Sequence, residues 1–326
     1  MNIKQTMQKL TRVFTAVAAL GLIAIPAAAQ YPSKPIRIVV SFAAGGASDA
    51  IIRIVAQPLS ETLGQPVVVD NRPGAEGAIA GELVAKSAPD GYTILFGGNT
   101  TMLGVPILRK NPPYDVIADF APITSVVKFA FFLVVHPSVP ATTLSELIDY
   151  ARANPGRLNY ATSTVGDVLA FAQLKSLANV DMVRVPYKGG APATPDLLSA
   201  RVHLMFTTGS SVVPLVKEGK LRALATLLPG RSSLLPSVPT IAEAGMPRLT
   251  VVPWTGLFAP AKTPKDIVER LSREVNVILK RPEIRGQFEK QASEPAGSTP
   301  GELGAFLKQQ LVEWRSAARS AGLEPE

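Results

Sequence analysis

Residues 35–53, PIRIVVSFAAGGASDAIIR, carry a β-branched run, Ile36–Ser41, that ends in small residues and passes at once into a helical pattern. A turn of this kind binds anions. Small residues let backbone N–H groups come close to a guest, and the following helix aims its unpaired amides and the positive end of its dipole at the same place. Residues 159–167, NYATSTVGD, repeat the arrangement. Two such turns in one chain point to two α/β lobes that hold a small anion between them.

Working outward, β and α patterns alternate almost throughout. Ile36–Ser41, Pro66–Asp70 and Tyr92–Phe96 are short, apolar and β-branched, as strands covered on both faces are, and helical patterns at Asp49–Leu63 and Glu76–Lys86 lie between them. This alternation predicts parallel strands in an open, doubly wound α/β sheet. The apolar stretch Ile123–Val135 contains no Gly or Pro and is long enough to cross to a second lobe. Beyond it, Thr143 and Glu146 form a capping box opening a helix to about Ala153. Alternation then resumes through Leu158–Ala161, a helix from about Val168, Met182–Val185, a helix near Pro195–Ala200, Val202–Thr207 and Leu221–Thr226. Leu249–Phe258 is a second candidate crossing. The organisation expected is a leader at 1–29, a first lobe from 30–125 and 253–326, and a second lobe at 126–252. In the C-terminal part, Thr263-Pro264 with Asp266 and Thr299-Pro300 with Glu302 each place an N-cap hydroxyl, a first-turn proline and a first-turn acid.

The leader has Lys4, Lys9 and Arg12 ahead of the apolar run Val13–Ile25, then Pro26 and Ala27–Ala29, a small-residue cleavage site. That run is short for a span of ~30 Å of hydrocarbon. With no cysteine, the chain has no disulfide framework, thiol nucleophile or lipidated N-terminal Cys. Export without disulfides fits a bacterial periplasmic protein. Cleavage after Ala29 removes three positive charges (Lys4, Lys9, Arg12) and no negative one, so the formal charge falls from +8 to +5. The remaining cations are scattered, without long basic runs or interleaved aromatics, which argues against nucleic acid as a partner.

Catalytic signatures are missing: there is no G-x-S-x-G, H-E-x-x-H, Walker loop or G-x-G-x-x-G. The two histidines, His136 and His203, lack metal-ligand spacing. Neither a cofactor nor a metal is expected. What remains is recognition at strand ends. In the first lobe the candidates are Phe42, Ala44, Gly45, Gly46, Ser48 and Asp49, then Arg72 and Gly74, then Gly98, Asn99 and Thr100. Asp49 and Ser48 either meet the ligand or cap the helix. Arg72 either faces the ligand or forms a surface ion pair. In the second lobe they are Ser163, Thr164, Gly166 and Asp167, then Tyr187, Gly189 and Gly190, then Thr208 and Ser210. Tyr187, fixed by Pro186 and followed beyond Lys188 by two glycines, can lay its ring over a small ligand.

Taken in order, YPSKPIRIVV, the Gly-Gly turn with Asp49 and Arg53, NRPGAEGAIA, APDGYT, VPYKGG, GKLRALA, PSVPTIAEAG, Trp254-Thr255-Gly256 and PAKTP resemble the tripartite tricarboxylate transporter substrate-binding receptors, the Bug or TctC-like proteins. The resemblance runs from Tyr31 to about Ala321. It implies a type II periplasmic-binding-protein (Venus flytrap) fold, closing on a small organic acid without performing chemistry. It also implies delivery to a permease of two integral-membrane subunits, with the receptor a monomer. The chain departs from the family pattern in reading Ala44-Gly45-Gly46 for Pro-Gly-Gly, and Thr164-Val165-Gly166-Asp167 with Ala170 for Gly-x-Gly-Ser and a following His. A carboxylate at Asp167, if it faces the cleft, disfavours multiply charged anions; if it caps its own helix, it does not bear on specificity.

The reading is therefore a periplasmic receptor for a small carboxylate, an organic acid or an amino acid. Its rivals are a solute-binding sensor that signals through another membrane protein, and an exported hydrolase, which needs a catalytic cluster this sequence does not display. N-terminal sequencing of protein from a periplasmic extract is expected to begin near Gln30; recovery only in membranes with residues 1–29 attached overturns the leader assignment.

Overall fold

A computed structural model describes residues 31–187, 190–249, 251–320 and 322–325. Ile36–Val40 (β1) seeds the first sheet: Ile36, Ile38, Val39 and Val40 have no exposed surface, because the strand is covered on both faces. It pairs in parallel with Val67–Asn71 (β2) on one side and Thr93–Gly98 (β3) on the other. Ala47–Leu63 (α1) connects β1 to β2 and ends where Gly64 turns left-handed at φ 66°. Ala78–Ala85 (α2), entered through a 3-10 turn at Ala75–Gly77, connects β2 to β3. A π-helical turn at Asn99–Gly104 and a short helix, Val105–Leu108 (α3), follow β3.

Phe120–Phe129 (β4) completes the outward path, and the chain leaves the first sheet at Ala130. Residues 126–129 therefore remain in the first sheet. The second sheet has the order β7-β6-β8-β5-β9, from Phe131–Val135 (β5), Asn159–Thr162 (β6), Val183–Pro186 (β7), Leu204–Thr208 (β8) and Arg222–Thr226 (β9). Its helices are Leu144–Ala153 (α4), Val165–Ala178 (α5), Gly190–Leu198 (α6) and Gly209–Lys217 (α7). The chain returns through Trp254–Pro260 (β10), then Lys265–Leu279 (α8), Pro282–Lys290 (α9), Ser293–Pro295 (β11) and Pro300–Ser320 (α10), giving a first sheet ordered β11-β4-β10-β3-β1-β2.

Alternation predicts parallel strands, and β2-β1-β3 and β7-β6-β8 are parallel. The strands next to the crossings are not. β10 is antiparallel to β3 and β4, and β5 is antiparallel to β8 and β9. The reason is directional: a strand that has just crossed enters its sheet from the end at which the other strands finish.

At the C-terminal helix the capping signal works as expected. Thr299 N donates to Glu302 Oε2 at 2.8 Å, and Glu302 N donates back to Thr299 Oγ1 at 3.2 Å. At α8 the start shifts by one residue. Pro264 occupies the N-cap, and Thr263 is buried with its hydroxyl unpartnered among the described residues, so it caps nothing. Helix α10 packs on β4 and also on α5 of the other lobe, which makes one apolar core continuous through Leu311 and Trp314 on one side and Leu169 and Phe171 on the other.

Insertion of β10 beside β3 leaves no space for a side chain at Gly98. A Cβ there would lie 2.1 Å from the Trp254 carbonyl oxygen and 2.6 Å from Thr255 Cγ2. Relief requires backbone movement, so Gly98→Ala is expected to destabilise by about 3 kcal/mol or more in urea unfolding. Gly230→Ala, where a Cβ meets no atom within 4 Å, should stay within about 0.5 kcal/mol of wild type. Equal effects at the two sites would show that the two strands are not packed this closely.

Candidate functional site

At the two crossings lies a cavity of about 150 Å³, walled by the starts of α1 and α5, the ends of β4, β8 and the β3 turn, and the first residues of β5 and β10. Of the residues expected from sequence, it brings together Phe42, Ser48, Asn99, Thr100, Thr164, Gly166, Asp167 and Thr208.

The others stand behind or beside it. Ala44, Gly45 and Gly46 form the turn leading into α1, with Gly45 at φ 81° in the left-handed region. Gly74, at φ 124°, serves the turn after β2. Arg72 does not line the cavity; its Nε lies 3.0 Å from an Asp70 oxygen in an exposed ion pair. Gly98 is taken up by the β3–β10 contact. Ser163 and Tyr187 line a neighbouring cavity of about 380 Å³ that shares Thr164, and the Tyr187 hydroxyl donates to Asp196 Oδ2 at 2.8 Å. Ser210 Oγ donates to Thr208 Oγ1 at 3.2 Å. Gly190 opens α6. Gly189, with Lys188 and the leader at 1–29, lies outside the described residues.

Two aspartates take the same place in the two lobes. Asp49 and Asp167 are each the third residue of their helix, and each folds back to accept the backbone N–H four residues earlier: Gly45 N to Asp49 Oδ2 at 2.9 Å, Ser163 N to Asp167 Oδ2 at 2.9 Å. Both therefore brace the turn that leads into their helix. Their charge states are set differently. Arg53 Nε donates to both oxygens of Asp49 at 3.0 Å and Asn71 Nδ2 donates to Oδ1 at 3.0 Å; these bonds, Arg53 first, hold its pKa down at about 2. No Lys or Arg among the described residues forms an ion pair with Asp167. Burial pushes its pKa up, against the hydrogen bonds from the hydroxyls and amides of Ser163 and Thr164. Thr164 Oγ1 also accepts Asp167 N at 3.2 Å, completing a capping box. Asp167 thus caps its own helix and lines the cavity as well.

The residues that the sequence reading did not single out form the apolar wall. Phe129 and Phe131 flank the outward crossing, and Phe206, Leu227, Val251, Pro253, Trp254 and Thr255, with Ala47 and Ala170, complete the lining. Phe206 is braced by Phe171 at 4.7 Å between centroids, and Trp254 by Phe306 at 5.2 Å. Phe129, Phe131 and Trp254 lie within the two crossing segments, but nothing in the local pattern separates them from ordinary core aromatics. Trp254 Nε1 and Thr255 Oγ1 are buried and have no partner among the described residues.

Residues 51–323 match the model of the tripartite tricarboxylate transporter family receptor, TctC. The chain belongs to this receptor family. It is 35% identical to the protein BugT of Bordetella pertussis over 94% of this chain and 95% of that one. Among solved structures it is similar to Rhodopseudomonas palustris Rpa4515 with adipate, at 34% identity and a TM-score of 0.78, over 91% of this chain and 100% of that one. It is also similar to MatC (Rpa3494) from Rhodopseudomonas palustris with bound malate, at 30% identity and a TM-score of 0.72, over 88% and 99%. The family consists of periplasmic solute receptors, not enzymes, and the receptor has their two-lobed fold. Among the described residues no helix is long and apolar enough to cross a membrane.

The contrast between the two aspartates is testable. Folding lowers the Asp49 pKa from 3.8 to about 2, so its contribution is complete above the unfolded value and is lost as pH falls through the folded one. Asp49→Asn should cost about 2 kcal/mol in urea unfolding at pH 7, and that difference should shrink steadily between about pH 4 and pH 2. A difference that stays constant over this range assigns the effect to packing and not to charge.

Proposed function

We propose that this chain captures a small carboxylate in the cavity at the crossings and delivers it, in the periplasm, to a two-subunit membrane permease of the tripartite tricarboxylate type. The observation that carries the reading is the convergence on one cavity of the first turns of α1 and α5, one from each lobe, through Ala47, Ser48, Thr164 and Gly166. The first amides of a helix have no intrahelical acceptor and sit at the positive end of its dipole, so each start favours an anion, and two opposed starts favour one held between them. Apolar walls lower the local dielectric and strengthen these interactions. The adipate and malate complexes of two relatives support a carboxylate as the guest. Family membership supports the permease as the recipient.

Native mass spectrometry of freshly purified protein is expected to show an added mass of a small acid that disappears after unfolding and refolding. The refolded protein should then gain stability from carboxylates: a ligand at ~100 times its dissociation constant adds roughly 2.7 kcal/mol, which a thermal-shift assay detects. If no mass is retained and no mono-, di- or tricarboxylate or amino acid raises the melting temperature, the receptor reading fails.

A further inference from the structure

A groove of about 500 Å³ runs between the segment that follows α3 and the end of α10. Its walls carry four cations, Arg109, Lys110, Arg315 and Arg319, and one acid, Glu324. Ion pairs form elsewhere on the surface, at Lys34–Asp90, Lys86–Glu82 and Arg231–Glu243, but among the described residues none of these four cations makes one. Arg109 instead donates through Nη2 to the Ala75 carbonyl at 2.9 Å. Asp115 feels Arg315 only from beyond ion-pair distance; its carboxyl is held below the usual carboxylate range first by Ala118 N and Ile117 N, which donate to it.

Helix chemistry does not account for the cluster. A cation in the last turn of a helix meets the negative end of its dipole, which explains Arg319. Arg315 stands a turn earlier, and two like charges four residues apart weaken a helix. Lys110 belongs to no helix.

Shape and position select a partner. The groove has an apolar floor, with Ile107 and Ala318 buried and Leu323 half-buried beside them. A recess with such a floor and a cationic rim admits a protein segment carrying apolar and acidic side chains together, since each guanidinium can take a carboxylate on two N–H groups. A bilayer surface would meet the exposed rim and leave the floor uncovered. Leu323 and Glu324 also line the 380 Å³ cavity with Ser163, Arg184 and Tyr187 of the second lobe, and Arg109 holds, through Ala75, the turn whose Glu76 lines it from the first. The groove therefore adjoins the place where the two lobes meet. Resting on the delivery reading above, we propose that it docks an acidic segment of the receptor's membrane partner.

Photo-crosslinking in the cells that make the protein tests this, with p-benzoylphenylalanine in place of Glu324, which lines the groove and whose loss removes no cation. The expected product joins the receptor to an integral-membrane protein, and its peptide map places the link in an Asp- and Glu-rich periplasmic segment. Arg315→Glu with Arg319→Glu should lower the yield by about tenfold or more, while Arg315→Lys with Arg319→Lys should keep most of it. Lys110→Glu repeats the test without touching α10 and should lower the yield as well. All three side chains are exposed, so the reversed receptors should melt where the wild type does. No membrane-protein product, a yield unchanged by reversal, or a product with phospholipid overturns the docking site and leaves the delivery reading standing. Sedimentation with phosphatidylglycerol vesicles that the same reversal abolishes assigns the rim to the lipid surface and overturns it too. A link to an acidic segment of a membrane protein other than a permease subunit keeps the docking site and overturns the delivery reading.

Discussion

The side-chain amide of Asn99 holds the two lobes in register. Its Nδ2 donates to the Val252 carbonyl at 2.9 Å and its Oδ1 accepts Trp254 N at 2.7 Å, so the returning chain is gripped on both sides as it enters the first sheet. The outward chain is tied to the same segment, Phe129 N donating to the Pro253 carbonyl at 2.9 Å. These bonds fix where the crossings run, and the crossings supply the cavity's apolar wall. With β10 so placed, it must enter antiparallel between β3 and β4, and Gly98 must have no side chain. Asn99 therefore orders the backbone around the site before any ligand arrives. The amide has both of its hydrogen-bonding ends engaged in that task.

The site follows from this scaffold through a division of labour. The first turns of α1 and α5 reach the cavity, while the side chains of Asp49 and Asp167 fold back to brace the turns those helices grow from. Asp49 does so as an ion, because Arg53 neutralises it. Asp167 does so in a desolvated wall through four donors from Ser163 and Thr164. Bracing matters because amides stabilise an anion only if they need not reorganise to meet it. Phe171 behind Phe206 and Phe306 behind Trp254 apply the same logic to the apolar wall, which presents rigid ring surfaces.

Helix α10 adds a constraint across the cleft. It belongs to the first lobe by position, yet it packs on α5, and the Trp314 ring lies 3.9 Å from where a Cβ on Gly166 would sit. A Cβ at Gly166 would meet that ring in ordinary van der Waals contact, so the helix start of the second lobe and the C-terminal helix of the first lie against each other. Parting α10 from α5 would expose apolar surface that their packing now covers.

The sequence by itself determined whatever depends on near neighbours. β-branched runs joined to amphipathic helices gave α/β lobes; strand ends in small residues marked the two turns that meet at the cavity; Thr299 and Glu302 set the start of α10. Periodicity and capping are local, and they survive in the tertiary structure largely as written. Tertiary structure alone decided the rest, because the relevant partners are far apart along the chain. Strand direction at the crossings depends on which end of a sheet a returning segment enters. Arg72 pairs with Asp70 and Tyr187 with Asp196, both near in sequence, but whether either side chain could reach the cavity depended on where the crossings placed it. The aromatic wall is built from Phe129, Phe131, Phe206 and Trp254, which come together only when the chain crosses twice; in sequence each reads as an ordinary core residue. Charge near the cavity was likewise settled in three dimensions, since a carboxylate's effect depends on the donors and solvent around it, and those are set by packing.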